Sequence, residues 1–211
     1  MPLSYSETQD FNYCWGIWEI QESFEELCKL IEDPEECKPL NHILVEEKKR
    51  EKLAARLVLK YLIESKGEPF LGTESDNFKK PTLKNYTYPI SISHSHNKAV
   101  AILHKKKNVG IDIELIQDKI IKIAPRVFTL DELTFADNDP EKLTLLWTIK
   151  EVLYKINGEK GIDFKKDLYV PPAEFNISNQ KAMGILKTHK GMESFDIFYR
   201  RHGNHIISYN L

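Results

Sequence analysis

At 211 residues, 41% hydrophobic and with a formal charge of −2, the chain holds enough apolar material for one large folded domain or two small ones. Charges of both signs along the whole sequence exclude the global basic field of a nucleic-acid binder. No run approaches the roughly eighteen apolar residues of a membrane span, and no basic stretch precedes an apolar run at the N-terminus, so a cytoplasmic protein is expected.

Cys14, Cys28 and Cys37 show no C-x-x-C spacing, so reduced thiols are expected in place of a disulfide framework or a zinc site. Residues 13–20, aromatic and β-branched, read as the first strand. Ser23 with Glu26 forms a capping-box pattern and opens a helix that ends near Asp33-Pro34. Residues 45–65 form the longest helical pattern of the first half, with Leu53, Leu57, Tyr61 and Leu62 inward and Gly67 as the stop. Lys49, Lys52, Arg56 and Lys60 follow one another on its other face at steps of three and four. Such a stripe grips a polyphosphate or is simply solvated.

Residues 66–89, punctuated by Gly67, Pro69, Gly72, Pro81 and Pro89, read as loop and contain Lys79-Lys80-Pro81. Residues 90–95 and 99–103 read as strands joined by a polar turn. His94 and His96 share a side if the strand continues, which is half of a zinc site with no third soft ligand beside it. A charged turn at residues 105–108 then leads, as a hairpin, into Val109-Gly110-Ile111-Asp112-Ile113-Glu114-Leu115. The apolar residues there alternate with Gly110, Asp112 and Glu114, the period of a half-buried strand. Asp112 and Glu114 fall on one face about 7 Å apart. Two like charges at that spacing suit a divalent cation, or else mark a solvent-facing edge, and Gly110 leaves room for a ligand or a backbone.

Residues 119–127 read as a helix, Thr129 with Glu132 as a second capping box, and Asp139-Pro140 as the start of a long helix stopped by Gly158. On its wheel Ile149, Val152, Leu153 and Ile156 share one face, while Lys150, Glu151, Lys155 and Trp147 share the other. A tryptophan among charges implies that this face is covered too; the plainer alternative is a Glu151/Lys155 surface pair. Strand-like runs at 183–186, 194–200 and 205–209 close a sheet, with residues 201–204 as its last turn.

Together and in this order, G-I-D-I-E at residues 110–114 and W-x-x-K-E-x-x-x-K at residues 147–155 resemble the signature of the 4'-phosphopantetheinyl transferase superfamily, in particular its surfactin-synthetase-type branch. Ser91-Ile92-Ser93-His94-Ser95 resembles the family's S-x-S-H-S segment, and Arg126-Val127-Phe128 with Glu132 its R-x-F-x-x-x-E segment. The likeness spans residues 80–161, with Val152 standing where the family usually has alanine.

The resemblance implies an α+β fold of two similar α/β subdomains in a pseudo-twofold arrangement, residues 1–104 and 105–211, with the active site in the cleft between them and a monomer sufficient. It implies Mg²⁺-dependent transfer, Mn²⁺ being possible, of 4'-phosphopantetheine from coenzyme A to a serine of an apo acyl or peptidyl carrier protein, releasing 3',5'-ADP. Asp112, Glu114 and Glu151 are the implied metal ligands, Glu151 also the implied base, and Lys150 and Lys155 the implied phosphate-facing lysines. Lys49, Arg56, Lys80, Ser93 and His94 are the implied coenzyme A contacts, His94 on the 3'-phosphate. Neither nucleic acid nor membrane is an expected partner. Two other readings use the same residues: a metal-dependent phosphohydrolase with water in place of serine, and a non-catalytic module that binds coenzyme A or a carrier protein.

Overall fold

The computed structural model describes the backbone of residues 3–9 and, with side chains, residues 12–77, 80–176 and 178–211. Its contacts divide the mixed α/β chain into two compact units, Met1–Val109 and Gly110–Leu211.

The first unit contains β1 (Leu3–Gln9), β2 (Tyr13–Glu19), α1 (Phe24–Ile31), α2 (Pro34–Cys37), α3 (Glu46–Glu64), β3 (Thr73–Ser75), β4 (Pro81–Leu83), β5 (Ile90–Ser95) and β6 (Lys98–His104). Four strands pair antiparallel in the order β1-β2-β6-β5. Helix α3 lies on this sheet because Leu53, Ala54, Leu57 and Val58 recur at helical spacing and meet Cys14, Trp18, Ala101 and Leu103 of the strands. The Ser23 capping box forms as expected, with Glu26 N donating to Ser23 Oγ at 3.2 Å and Ser23 N to Glu26 Oε2 at 2.8 Å.

Two expectations are corrected in this unit. Within residues 66–89, β3 and β4 pair as a short antiparallel ribbon, so the stretch is not all loop. Cys28 and Cys37 are disulfide-bonded with their Cα atoms 6.0 Å apart, because the chain turns back at Asp33-Pro34 between α1 and α2; only Cys14 remains a free thiol. The basic stripe of α3 is also put to structural use. Lys60 Nζ closes the C-terminus of α1 by donating to Leu30 O at 3.0 Å and Ile31 O at 3.3 Å.

The second unit contains β7 (Ile111–Leu115), α4 (Lys119–Val127), α5 (Leu130–Ala136), α6 (Pro140–Asn157), β8 (Leu168–Tyr169), β9 (Lys181–Thr188), β10 (Gly191–His202) and β11 (His205–Asn210). Its antiparallel sheet runs β7-β11-β10-β9-β8, with α6 packed across it and α4 and α5 against α6. Asp139 caps α6 through Glu141 N at 2.8 Å, Pro140 occupies the first turn and Gly158 ends it at φ 69°. The expected hairpin into the acidic strand does not form: β6 pairs in the first sheet, β7 pairs with β11, and residues 105–108 carry the chain from one sheet to the next. Among the described residues no helix is long and apolar enough to cross a membrane.

Candidate active site

Strand β7 and helix α6 bring the two sequence motifs together, and both belong to the second unit. Ile111 and Ile113 are buried, as their alternation requires. Asp112, on the other face, is buried as well, which corrects the reading of a half-buried strand. The reason is α6, which lies over that acidic face. Lys155 Nζ donates to Asp112 Oδ1 at 2.7 Å and to Ile111 O at 2.8 Å, satisfying a carbonyl of an edge strand. Ser208, the register partner of Asp112 on β11, bonds Thr148 Oγ1 of α6 at 2.7 Å. A helix and a sheet thus meet here through polar groups.

Gly110 makes that approach possible. A Cβ there would stand 2.5 Å from Val152 O and 3.1 Å from Val152 Cγ1, so the space is filled by the backbone of α6. Gly110→Ala is expected to destabilise the protein by about 1–3 kcal/mol through overpacking, read as a lower urea midpoint with an unchanged slope.

Glu151 follows Lys150 on α6 and is partly exposed. Its carboxyl is pushed up to about 7, first by burial and then by the charge of Asp112; Glu114 adds to the rise and Lys155 opposes it. Asp112, Glu114 and the Lys155 ammonium therefore all act on the Glu151 carboxyl. Among the described residues no three His, Cys, Asp or Glu side chains are arranged to hold a metal ion. By donor chemistry the set nonetheless fits a hard divalent cation, since every donor is a carboxylate oxygen and the raised Glu151 shows the charge that a cation would offset.

Lys150 stands apart from this cluster. It is fully buried, and its Nζ donates at 2.9 Å each to Glu132 Oε2, Val127 O and Phe164 O, which uses all three N–H groups. It also lies 5.2 Å from the centroid of the Phe128 ring. Burial pulls its ammonium below the ordinary lysine value, with Glu132 opposing the shift. The expected polar face carrying Lys150 beside Lys155 is therefore corrected: α6 is covered by the sheet on one side and by α4 and α5 on another, so the wheel does not divide into core and solvent. Trp147 is half-buried, stacked on Phe164 with centroids 5.2 Å apart, and with Glu114, Leu115, Ile120 and Ile123 it lines a cavity of about 290 Å³.

In the first unit the other expected residues are placed separately. His94 of β5 lies on the face toward α3, 3.0 Å through Nδ1 from Glu51 Oε2. Ser93, its neighbour on the strand, points to the opposite face. Arg56 is held by Glu36, whose backbone and carboxylate oxygens it meets, and lines a cavity of about 220 Å³ with Thr73, Pro81 and Ile92. Lys80 has its ammonium lowered by burial, opposed by Asp76. Lys49 lies 5.5 Å over the Phe24 ring and 3.8 Å from Glu46, and Lys79 falls outside the described residues.

Sequence reasoning overlooked Glu51 and Lys48. The signal was present: Glu51 heads an apolar row through Ala54, Ala55 and Val58 at steps of three and four, where a carboxylate needs a partner.

No curated protein matches the chain. Residues 108–209, which carry β7, α6 and every residue of the carboxylate and lysine cluster, match the family model of the 4'-phosphopantetheinyl transferase superfamily.

Proposed function

We propose that this protein transfers the 4'-phosphopantetheine arm of coenzyme A to the serine hydroxyl of an apo acyl or peptidyl carrier protein, releasing 3',5'-ADP. The observation that carries this reading is the cluster of Asp112, Glu114, Glu151 and Lys155 inside the segment that matches the superfamily. Attack of an alkoxide-like oxygen at phosphorus requires charge on the pyrophosphate to be neutralised, and Mg²⁺ or Mn²⁺ held by Asp112, Glu114 and Glu151 would supply that neutralisation. Lys155, already fixed against Asp112, adds a positive charge beside the same carboxylates and faces the phosphates. Glu151, with its carboxyl near 7, is matched to accept the serine proton at neutral pH; a cation on the same oxygens lowers that affinity, so its two duties compete. Lys150 holds α6 in place and is left out of the phosphate contacts.

The nucleotide end of coenzyme A falls to the first unit, with His94 on the 3'-phosphate and Ser93, Lys80, Arg56 and Lys49 as further contacts. The same reading assigns the surfactin-synthetase-type branch: a cytoplasmic monomer of two similar subdomains in pseudo-twofold arrangement. In support, each unit by itself sets an antiparallel sheet against one long helix, α3 in the first and α6 in the second.

The test is the intact mass of an apo carrier protein after incubation with this protein, coenzyme A and Mg²⁺, beside an EDTA control. A gain of one phosphopantetheine, lost with EDTA, is expected. Phosphate release without carrier modification favours the hydrolase, and coenzyme A binding without either product favours the binding module.

A further inference from the structure

Glu51 is fully buried on α3, in the core of the first unit. Its Oε2 accepts from Lys48 Nζ at 2.6 Å and lies 3.0 Å from His94 Nδ1, while its Oε1 has no hydrogen-bond partner among the described residues. A carboxylate taken out of water costs several kcal/mol before its partners return any of it, and an apolar side chain of the same size would fill this place more cheaply. Stability alone therefore does not account for Glu51. Its geometry does something else: it sets a carboxylate oxygen 3.0 Å from Nδ1 of the His94 ring, an ion-pair contact without hydrogen-bond alignment, so that a phosphate contact falls to Nε2 on the ring's far edge. A carboxylate in contact with Nδ1 supplies the counter-charge for an imidazolium, the form in which the ring donates to a phosphate from Nε2. Lys48, half exposed, reaches the same oxygen and is thereby held next to the ring.

We propose that Glu51 is a positioning residue that presents His94 and Lys48 together to a phosphate monoester, the 3'-phosphate of coenzyme A. The proposal rests on coenzyme A being the substrate, as proposed above. It assigns Lys48 as a phosphate contact, and it separates this pair from Arg56, whose guanidinium is already engaged by Glu36.

Calorimetric titration of coenzyme A and of 3'-dephospho-coenzyme A tests it, using the parent protein, Glu51→Gln, Glu51→Ala, His94→Ala and the Glu51→Gln/His94→Ala double variant. The parent is expected to bind coenzyme A at least about tenfold more tightly than the dephospho form. Glu51→Gln keeps the shape of the side chain and is expected to lose about three- to tenfold on coenzyme A alone. Glu51→Ala loses more, again on coenzyme A alone. The double variant is expected to lose less than the sum of the two single losses, because Glu51 acts in part through His94 and only its hold on Lys48 is left to lose. Glu51→Gln binding like the parent, an equal loss on both ligands, or additive losses in the double variant each overturn the positioning role while leaving His94 on the phosphate. A His94→Ala protein that binds both ligands as the parent does removes the phosphate from His94 itself, and both the contact and the proposal fall.

Discussion

Glu151→Gln is expected to lose at least about a thousandfold in the rate of carrier modification while remaining as stable as the parent, or more so. The two halves of this result have one physical origin. Glu151 is a carboxyl pushed up to about 7 by burial and by Asp112 and Glu114, so in the folded protein its ionised form is opposed by its surroundings. A carboxyl whose folded value is raised contributes stability that is fully present below its ordinary value of 4.5 and is lost as the pH rises through about 7. The amide lacks that loss. The stability difference in favour of Glu151→Gln should therefore be larger at pH 8 than at pH 5, which thermal melts at the two values measure. Asp112→Asn offers the contrast. It should abolish transfer equally, but Asp112 is the partner of Lys155, so its change costs about 1–3 kcal/mol of stability as well. A Glu151→Gln protein with parental turnover, or one that melts well below the parent at pH 8, would show that the carboxylate is structural.

Much of the frame was readable because local chemistry and tertiary packing agree there. The capping boxes at Ser23 and Thr129, the Asp139-Pro140 start and the Gly158 stop each depend on a few adjacent residues, and each lies where the sequence places it. The alternation that puts Asp112 and Glu114 on one face of β7 was legible in the same way, although the burial of Asp112 was not. What was not legible depends on the third dimension. Nothing in the alternation of β7 says that a helix lies over its acidic face, and nothing in the turn at residues 105–108 says that its two flanking strands belong to different sheets. Cys28 and Cys37 are nine residues apart and meet only because α1 and α2 fold back on one another. On α3 the lysines looked like one stripe. In the structure Lys60 caps α1, Arg56 holds α2 through Glu36, and Lys48 rather than Lys49 reaches the histidine through Glu51. A periodicity argument locates a face; which charges on it are already paired depends on what packs beside it.

Lys150 is where the two kinds of reading separate most sharply, and Lys150→Met is the substitution that decides between them. On the helix wheel it stands beside Glu151 and Lys155 and would face the phosphates; such a residue could be replaced with little effect on folding and a clear loss of coenzyme A affinity. In the structure its ammonium ties α6 to the end of α4 through Val127 O, to the loop at Phe164, and to Glu132, which itself accepts from Thr129 N at 2.7 Å and Val170 N at 2.9 Å. Removing the cation leaves Glu132 buried without its counter-charge and three elements without their common tie. Lys150→Met is therefore expected to cost about 3–5 kcal/mol, measured by urea denaturation, and Glu132→Leu alone a similar amount. Together the two changes should cost less than their sum, because the double variant leaves neither charge uncompensated. The predicted loss lies in stability, so coenzyme A affinity measured well below the melting temperature of the variant should stay within about threefold of the parent. A Lys150→Met protein that unfolds with the parent but binds coenzyme A ten times more weakly, by about 1.4 kcal/mol, would return Lys150 to the phosphates and leave Glu132 needing another partner.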